Sequence, residues 1–255
     1  MLANAFLFGN VFMKNPFKIL NKLDYALWLG SIAIIVTAFA VVGKRDYITL
    51  ASAVIGITAV LFTAKGHVLG QALIVVFSVF YGVISYYSKY YGEMMTYLGM
   101  SAPVAVAAVI SWIRHPHGDG SRVKVASLKK QTIAAVFAFA IAVTAAFYFI
   151  LRACGTANIE VSTLSVATSF LAAAFTVLRS PLYAVFYALN DFVLIVLWTL
   201  ATYSDISNLP MIICFSIFSI NDVYGFICWR KMKKVQSVDD EQNAKARIEK
   251  QCDNE

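Results

Sequence analysis

Two pairs of adjacent polar residues lie inside apolar runs that are long enough to cross a bilayer. Asn190 and Asp191 lie in the run at 181–203, and Asn221 and Asp222 lie in the run at 211–229. An amide or carboxyl group at mid-membrane depth costs on the order of a few kcal/mol unless it faces a partner or a wet cavity. We therefore expect the two helices to share a polar site inside a helical bundle, which indicates a transport protein.

Three of the apolar runs place a carboxamide on the same helix face as an aromatic or hydroxyl side chain. Carboxamides donate and accept hydrogen bonds with hydroxyls, and flat aromatic faces hold a planar ring, with added attraction if the ring is cationic. The pattern is typical of a site for a heteroaromatic ring that carries a sugar. The predicted substrate-binding residues are Gln71, Ser78, Tyr81, Tyr183, Phe186, Asn190, Asn221 and Tyr224.

The two aspartates are turned by about 100° from their asparagine neighbours, so they cannot fully share the same helix face. Asp191 and Asp222 are interpreted as structural groups paired with hydroxyls. Alternatively, they are protonated or carry a coupling proton. A single Asn or Gln in a membrane helix can also act only as an interhelical contact, worth under about 1–2 kcal/mol.

The composition excludes a water-soluble domain. Hydrophobic residues make up 60% of the chain and charged residues 14%, whereas a soluble domain carries about a quarter charged residues. The net charge of +7 comes from loops and the C-terminus, where anionic lipid headgroups rather than nucleic acid are the expected partner. The sequence contains no catalytic constellation and no metal-ligand spacing. We therefore expect neither an enzyme nor a bound cofactor.

Eight apolar runs approach twenty residues, the length that crosses a bilayer. They lie at 25–43, 47–64, 68–87, 94–113, 132–151, 162–178, 181–203 and 211–229, between an amphipathic N-terminal segment at 1–22 and a charged, cytosolic tail at 230–255. Residues 77–89 resemble residues 218–231, which suggests that 25–87 and 162–229 are copies of one three-helix unit.

Parallel copies need an odd number of crossings between them. The runs at 94–113 and 132–151 are both candidates for that single crossing. If all eight runs span, the triplets are inverted and almost all basic residues share one face. If 94–113 lies at the interface, the charge bias is weaker, so the orientation stays open.

The residues resemble the PnuC family of transporters over 25–231. The run QALIVVFSVFYGVISYYSKYYGEMMTYLGMSAPVAVAAVISWIRHP at 71–116 is similar to the family's signature stretch. Tyr183, Phe186 and Asn190 match the spacing of a family motif in which two aromatic residues, commonly tryptophans, precede an Asn. In the closing SINDVYGFICW, Asn221 takes the position of the family's usual Asn.

The resemblance implies a multi-pass protein of the bacterial inner (plasma) membrane that imports nicotinamide riboside by facilitated diffusion with alternating access, feeding NAD synthesis. It implies an all-α homotrimer with a three-plus-one-plus-three core like that of the SWEET sugar transporters. In the linker region at 94–151, the crossing helix would be 132–151, which leaves 94–113 as an interfacial or membrane segment. Gln71, Asn190 and Asn221 would bind the ribose and carboxamide while Tyr and Phe rings hold the pyridinium.

Three alternatives remain. The first is a SWEET-like facilitator for a sugar or another vitamin, because aromatic faces and carboxamides bind these solutes too. The second is an integral membrane enzyme that acts on lipid, which would gather its polar residues at one interface. The third is a bundle without a solute, in which the two Asn-Asp pairs only join helices.

Overall fold

The structure, a computed structural model, describes residues 15–42, 47–118, 120–156 and 158–252, with side chains to 243 and at 245. It is almost entirely helical. The helices are α1 Lys22–Val42, α2 Tyr47–Ala64, α3 Val68–Tyr87, α4 Tyr91–Arg114, α5 Lys130–Ala153, α6 Ile159–Val177, α7 Leu182–Ser204 and α8 Leu209–Cys252. Short 3₁₀ turns at Pro16–Ile19 and Ile206–Asn208 precede α1 and α8.

In the part of the chain that is described, eight helices are long and apolar enough to cross a membrane. This confirms the eight apolar runs and the all-α fold. Between its end turns, a spanning helix satisfies its backbone N–H and C=O groups within itself, which hydrocarbon requires. Of the predicted amphipathic segment at 1–22, residues 1–14 lie outside the described residues.

The run at 94–113 lies within α4, a continuous helix of 24 residues. At about 1.5 Å per residue, such a helix is about 36 Å long and exceeds a hydrocarbon core of about 30 Å. A π-helical turn at Tyr97–Ser101 lies within it. By length and composition this helix could therefore cross a membrane, as one of the two possibilities for this run requires.

The helices alternate in direction, and the loops define two faces. The first, here called the basic face, carries the α2–α3 turn, the α4–α5 connection and the α6–α7 turn. The α4–α5 connection contains a two-stranded hairpin, with β1 at Pro116–His117 paired antiparallel to β2 at Arg122–Val123. Val123 N–H donates to the Gly66 carbonyl (2.9 Å), and Ala126 N–H donates to the Arg179 carbonyl (2.9 Å). Gly66, at φ +68°, allows the chain to reverse between α2 and α3.

The opposite face carries the α3–α4, α5–α6 and α7–α8 turns. Among the described residues, its lysines and arginines are Lys89 and Arg152. The basic face, with the extension of α8 beyond it, carries Lys18, Lys22, Lys65, Arg114, Arg122, Lys124, Lys129, Lys130, Arg179, Arg230, Lys231, Lys233, Lys234 and Lys245. This is the distribution expected if all eight runs span.

Six helices, α2–α4 and α6–α8, form the core of the bundle. Within it, α2 packs on α3 and α3 on α4, while α6 packs on α7 and α7 on α8. Between these groups, α2 packs on α8 and α4 packs on α6. The remaining two helices are peripheral: α1 packs on α2 and α8, and α5 packs mainly on α6. The core is tight at the α2–α3 crossing, where a Cβ on Gly70 would collide with the backbone nitrogen of Thr63.

Candidate functional site

A cavity of about 50 Å³ lies between the six core helices. It is lined from α2, α3, α4, α6, α7 and α8, while α1 and α5 contribute no lining residue. The wall combines aromatic rings with hydroxyl, carboxamide and carboxyl groups. The lining residues are Gly56, Val60, Thr63, Gln71, Ile74, Phe77, Ser78, Tyr97, Ser101, Ser169, Tyr183, Tyr187, Asn190, Asp191, Phe215, Phe218 and Asp222.

The structure brings six of the ten residues singled out in the sequence to this cavity. They are Gln71, Ser78, Tyr183, Asn190, Asp191 and Asp222. The other four, Tyr81, Phe186, Asn221 and Tyr224, are not among its lining residues. The shared polar site expected from the two Asn-Asp pairs therefore exists, but the second pair contributes only its aspartate.

Asn190 joins α7 to α6 as well as lining the cavity. Its Oδ1 accepts hydrogen bonds from the hydroxyls of Thr168 (2.8 Å), Ser169 (2.9 Å) and Ser165 (3.4 Å). Its amide group also lies near the Tyr97 hydroxyl on α4. Because the donors come from one face of α6, the carboxamide is held in one orientation beside the cavity.

Gln71 is held in a similar way on the other side of the cavity. Its Nε2 donates to the Thr63 hydroxyl across the α2–α3 contact at 3.0 Å, and the side chain is almost completely buried. Two turns of helix further along that wall, Ser78 is fully buried, and its hydroxyl has no hydrogen-bond partner among the described residues. The wall from α3 therefore offers polar groups at two heights.

Asp191 of α7 and Asp222 of α8 both line the cavity, and their carboxyl groups lie close enough to interact electrostatically. Each is only 4% exposed. Two adjacent buried carboxylates repel each other unless one of them is protonated. The expected pairing of these aspartates with hydroxyls, and the alternative that they are protonated or carry a coupling proton, therefore stay predictions.

Phe186 and Asn221 face away from the cavity. Phe186 stacks on Phe175 with ring centroids 5.4 Å apart and contacts Phe137 of α5 at 5.7 Å. Asn221 Nδ2 donates to the Ile217 carbonyl (2.9 Å) and to the Ser31 hydroxyl of α1 (3.5 Å). Both side chains join a peripheral helix to the core.

Tyr224 belongs to a polar cluster at the basic face. Its hydroxyl donates to Asp24 Oδ1 at 2.6 Å, and Lys65 Nζ lies 2.7 Å from the same carboxylate oxygen. Asp24 is fully buried and Lys65 is 10% exposed. This ion pair joins the start of α1, the end of α2 and α8.

Tyr81 lies in an aromatic cluster between the cavity and the opposite face. Trp198 Nε1 donates to the Tyr81 hydroxyl at 2.8 Å, and the Tyr81 ring lies 4.2 Å from that of Tyr97 and 5.7 Å from that of Phe215. Tyr90 packs on Trp198 at 5.5 Å. We call these five residues the aromatic barrier. Beyond it, Tyr90 lines an open vestibule of about 790 Å³ at the opposite face.

The chain matches a known protein family over most of its length. The model of the nicotinamide mononucleotide transporter family matches residues 46–231, which include α2 through the spanning part of α8 and every lining residue of the cavity. The chain belongs to the nicotinamide mononucleotide transporter family. The match begins after α1, which is consistent with the peripheral position of that helix.

Two related proteins each match more than four-fifths of this chain. The nicotinamide riboside transporter PnuC of Neisseria mucosa is 26% identical over 217 residues, which are 83% of this chain and 82% of that protein. The crystal structure of the vitamin B3 transporter PnuC superimposes with a TM-score of 0.76 at 24% identity, covering 85% of this chain and 94% of that one. The fold of the transporter is thus that of PnuC, and the family and its relatives are transporters rather than enzymes.

Three features in or beside the cavity were missed in the sequence. The first is the row of Ser165, Thr168 and Ser169 on α6, whose i, i+3, i+4 spacing is a readable signal. The second is Tyr187, which lies four residues after Tyr183 and reaches the cavity where Phe186 does not.

The third is Glu93, which lies one residue before the predicted run at 94–113. It is fully buried, and Oε2 accepts from the Ser165 hydroxyl at 3.5 Å while Oε1 has no partner among the described residues. The residues before it, SKYYG at 88–92, are polar, aromatic or glycine, so the local pattern indicates a loop rather than the first turn of a helix.

The transporter offers no metal centre in its described part: His, Cys, Asp and Glu side chains form no group of three that could hold an ion. The cavity wall is also free of basic groups, since none of its lining residues, all of which are described, is Lys, Arg or His. The site can therefore attract a cation through carboxyl groups and ring faces, but it has nothing to neutralise an anion.

Proposed function

We propose that this protein transports nicotinamide riboside through the central cavity. The observation that carries the assignment is the charge of the wall, which has Asp191 and Asp222 but no basic residue. The pyridinium of the riboside is a cation, whereas the mononucleotide adds a phosphate of about −1.5 to −2 charges at pH 7. An anion of that size in a buried site without cations is strongly disfavoured. The wall thus favours the riboside over the mononucleotide.

The wall also supplies the two kinds of contact that the riboside needs. Rings of Phe77, Tyr183, Tyr187, Phe215 and Phe218 surround the space, and a cationic ring gains about 0.5–2 kcal/mol from each well-placed aromatic face. Gln71, Ser78 and Asn190 lie within the same wall and would bind the ribose hydroxyls and the carboxamide. Tyr81, Phe186, Asn221 and Tyr224 are not part of this proposed site.

The cavity must open to admit the substrate. At about 50 Å³ it has room for one or two water molecules, whereas ligand sites are typically about 300–1,000 Å³. We propose that two triplets, α2–α4 and α6–α8, rock about the site while α5 links them. The reciprocal contacts of α2 with α8 and of α4 with α6 support this division. The triplets are then 47–114 and 159–229 instead of 25–87 and 162–229, with α1 as the extra helix.

In this division the single linker α5 makes the two triplets parallel, as in a SWEET-like three-plus-one-plus-three protein. If the sequence likeness of 77–89 to 218–231 marked a repeat, α3 would correspond to α8. These two helices run in opposite directions. We propose facilitated diffusion, with the basic face inside by the positive-inside rule and the bacterial inner membrane as the location. Homotrimeric assembly, expected from the resemblance, would be tested by measuring the mass of the protein in detergent.

The test is uptake and binding by the purified protein. Proteoliposomes would be assayed for uptake of labelled nicotinamide riboside, and titration calorimetry would compare the riboside with its mononucleotide, nicotinamide and a plain sugar. We expect saturable binding and uptake of the riboside, with at least about tenfold weaker binding of the mononucleotide. Preference for the mononucleotide would refute the charge argument, and binding of the sugar alone would favour the sugar-facilitator alternative.

A further inference from the structure

Glu93 of α4 is a buried acid whose carboxyl group is only half satisfied. The side chain is fully buried, and Oε2 accepts from the Ser165 hydroxyl of α6 at 3.5 Å. The other oxygen, Oε1, has no hydrogen-bond partner among the described residues. An acid at such a place in a membrane helix is costly and commonly marks the path of a substrate or an ion. The free oxygen of Glu93 is therefore available to a ligand.

Glu93 lies one helical turn from the central cavity, on the side of the vestibule. Helices α4 and α6 both begin at the opposite face, where the vestibule opens. Tyr97 lines the cavity, and Glu93 precedes it by four residues, which is about 6 Å along the helix. Ser165 stands in the same relation to Ser169, which also lines the cavity. Two helices thus place the Glu93–Ser165 contact at one level, between the cavity and the vestibule.

The rings of the aromatic barrier lie at this same level. Tyr90, Glu93 and Tyr97 follow one another at i, i+3 and i+7, so they lie on one side of α4. Tyr90 lines the vestibule and Tyr97 lines the cavity, and the Tyr97 ring lies 4.2 Å from that of Tyr81. A carboxyl group among aromatic rings is the combination that binds organic cations. This stripe of α4 therefore connects the two spaces through groups that suit a pyridinium.

The adjacent wall from α3 is also polar through this layer. Ser78, Tyr81 and Ser85 have the same i, i+3, i+7 spacing, with Ser78 in the cavity wall and Ser85 on the vestibule side of Tyr81. Ser85 is fully buried, and its hydroxyl has no hydrogen-bond partner among the described residues. A barrier that only closed the cavity would need neither this hydroxyl nor the free oxygen of Glu93.

We propose that Glu93 is a transit site for the pyridinium of the riboside between the vestibule and the central cavity. When the rings of the barrier rotate, the carboxylate pairs with the cationic ring, and the Ser85 hydroxyl is within the same layer for the ribose. The carboxylate offsets part of the cost of moving a cation through this layer, so it favours cationic over neutral solutes at entry. This inference rests on the proposed function, since it takes the riboside as the ligand, and it needs no coupled ion.

The test compares the uptake of two ligands that differ in ring charge. Proteoliposomes with the full chain would be assayed with nicotinamide riboside and with its reduced, dihydropyridine form, which has nearly the same shape and no ring charge. Glu93→Gln should lower kcat/KM for the charged riboside by at least about tenfold and leave that of the reduced form within about twofold. The Kd of the charged riboside, which reports the central cavity in titration calorimetry, should change by less than about threefold.

Three further variants separate the charge from the packing. Glu93→Asp keeps the carboxylate and should recover at least about a third of the lost kcat/KM, which decides the case if the reduced form is carried too slowly to compare. Glu160→Gln is the matched control, because it removes an exposed acid near the same face and should leave the uptake of both ligands within about twofold. If Glu93→Gln does not fold, Tyr90→Leu should slow the charged riboside alone by at least about threefold, whereas Tyr90→Phe should not.

The outcomes separate this inference from the proposed function. If the unmodified protein neither binds nor carries the riboside, the substrate assignment fails and the transit site with it. If the riboside is carried and Glu93→Gln slows both forms equally, or weakens Kd as much as uptake, Glu93 only joins α4 to α6 and the transit site is overturned. Unchanged uptake by folded Glu93→Gln would also overturn it. In both of these last cases the transporter assignment stands.

Discussion

Replacing each of the two membrane asparagines by alanine should separate a residue of the site from one that only packs. Asn190 lies in the cavity wall, and Asn221 lies on the α1 side of α8. Both are 2% exposed and both lose the same atoms on substitution. The pair is therefore a matched test of the cavity assignment.

The expected loss of stability is similar for the two variants. Asn190→Ala leaves the Ser169 hydroxyl without its partner, whereas the Thr168 hydroxyl also donates to the carbonyls of Leu164 (3.0 Å) and Ser165 (3.1 Å). Hydrogen bonds between membrane helices average about 0.6 kcal/mol, so the loss is about 1 kcal/mol. Asn221→Ala removes one weak interhelical contact at 3.5 Å and should cost less than about 1 kcal/mol.

The expected effects on binding differ. Removing the Asn190 carboxamide leaves a polar group of the bound riboside unpaired, which costs more than about 1 kcal/mol and corresponds to at least about fivefold in Kd. Asn221→Ala should leave Kd within about twofold. Titration calorimetry with nicotinamide riboside measures both values, and thermal unfolding in detergent checks the fold. If Asn221→Ala weakens binding as much as Asn190→Ala in folded protein, the cavity is not the binding site.

The other predictions concern the ends of the helices. Asp24→Asn should lower the free energy of unfolding by about 3–5 kcal/mol, because it leaves the Lys65 charge buried without its ion-pair partner. Adding Lys65→Met should restore part of that loss, measured by thermal unfolding. No recovery in the double variant would contradict the ion-pair argument. Burial lowers the pKa of His67, which accepts from the Leu69 N–H at the start of α3, so the folded state should lose stability as pH falls below about 6.5, where the unfolded chain takes up the proton. His67→Asn should keep the cap and flatten this acid-side loss in melting temperature. Gly70→Ala should cost about 1–3 kcal/mol through the collision with α2, and an unchanged melting temperature would show that the crossing can relax.

The spanning helices could be predicted because the signal is local. A run of about twenty apolar residues bounded by charges needs no knowledge of distant contacts, and all eight runs correspond to helices. The grouping of helices could not be predicted in the same way. The likeness of 77–89 to 218–231 rests on Phe, Ser, Tyr and Gly, which recur in many apolar helices, whereas the packing of α2 on α8 involves residues more than 100 positions apart.

For α3, α7 and α8, the sequence predicted that the helix contributes to the site. It did not predict which of two neighbouring side chains faces the cavity. In Asn190 and Asp191 both side chains reach the cavity, but in Asn221 and Asp222 only the aspartate does. Neighbouring residues differ by about 100° around the helix, and the spacing alone does not say which of them faces the centre. That choice follows from α1, whose Ser31 contacts Asn221. The peripheral α5 has a similar effect on α7. Its Phe137 contacts the Phe186 ring, so Phe186 points away from the cavity and Tyr187 lines it.

The two ends of the cavity are closed by different means, which bears on alternating access. Towards the opposite face, the closure consists of side chains, with one hydrogen bond between Trp198 and Tyr81 inside the aromatic barrier. Side-chain rotation can open such a closure without moving a helix.

At the basic face the closure is made by the backbone. The hairpin segment donates from Val123 to the α2–α3 turn and from Ala126 to the α6–α7 turn, so it is bonded to both proposed triplets at once. Gln236 of α8 adds two buried hydrogen bonds to the same segment, from Val125 N–H at 2.8 Å and to the Val123 carbonyl at 2.9 Å. Separation of the triplets at this end must break backbone hydrogen bonds to one of them. Opening towards the basic face therefore requires a rigid-body motion of a triplet, whereas opening towards the vestibule requires rearrangement of rings.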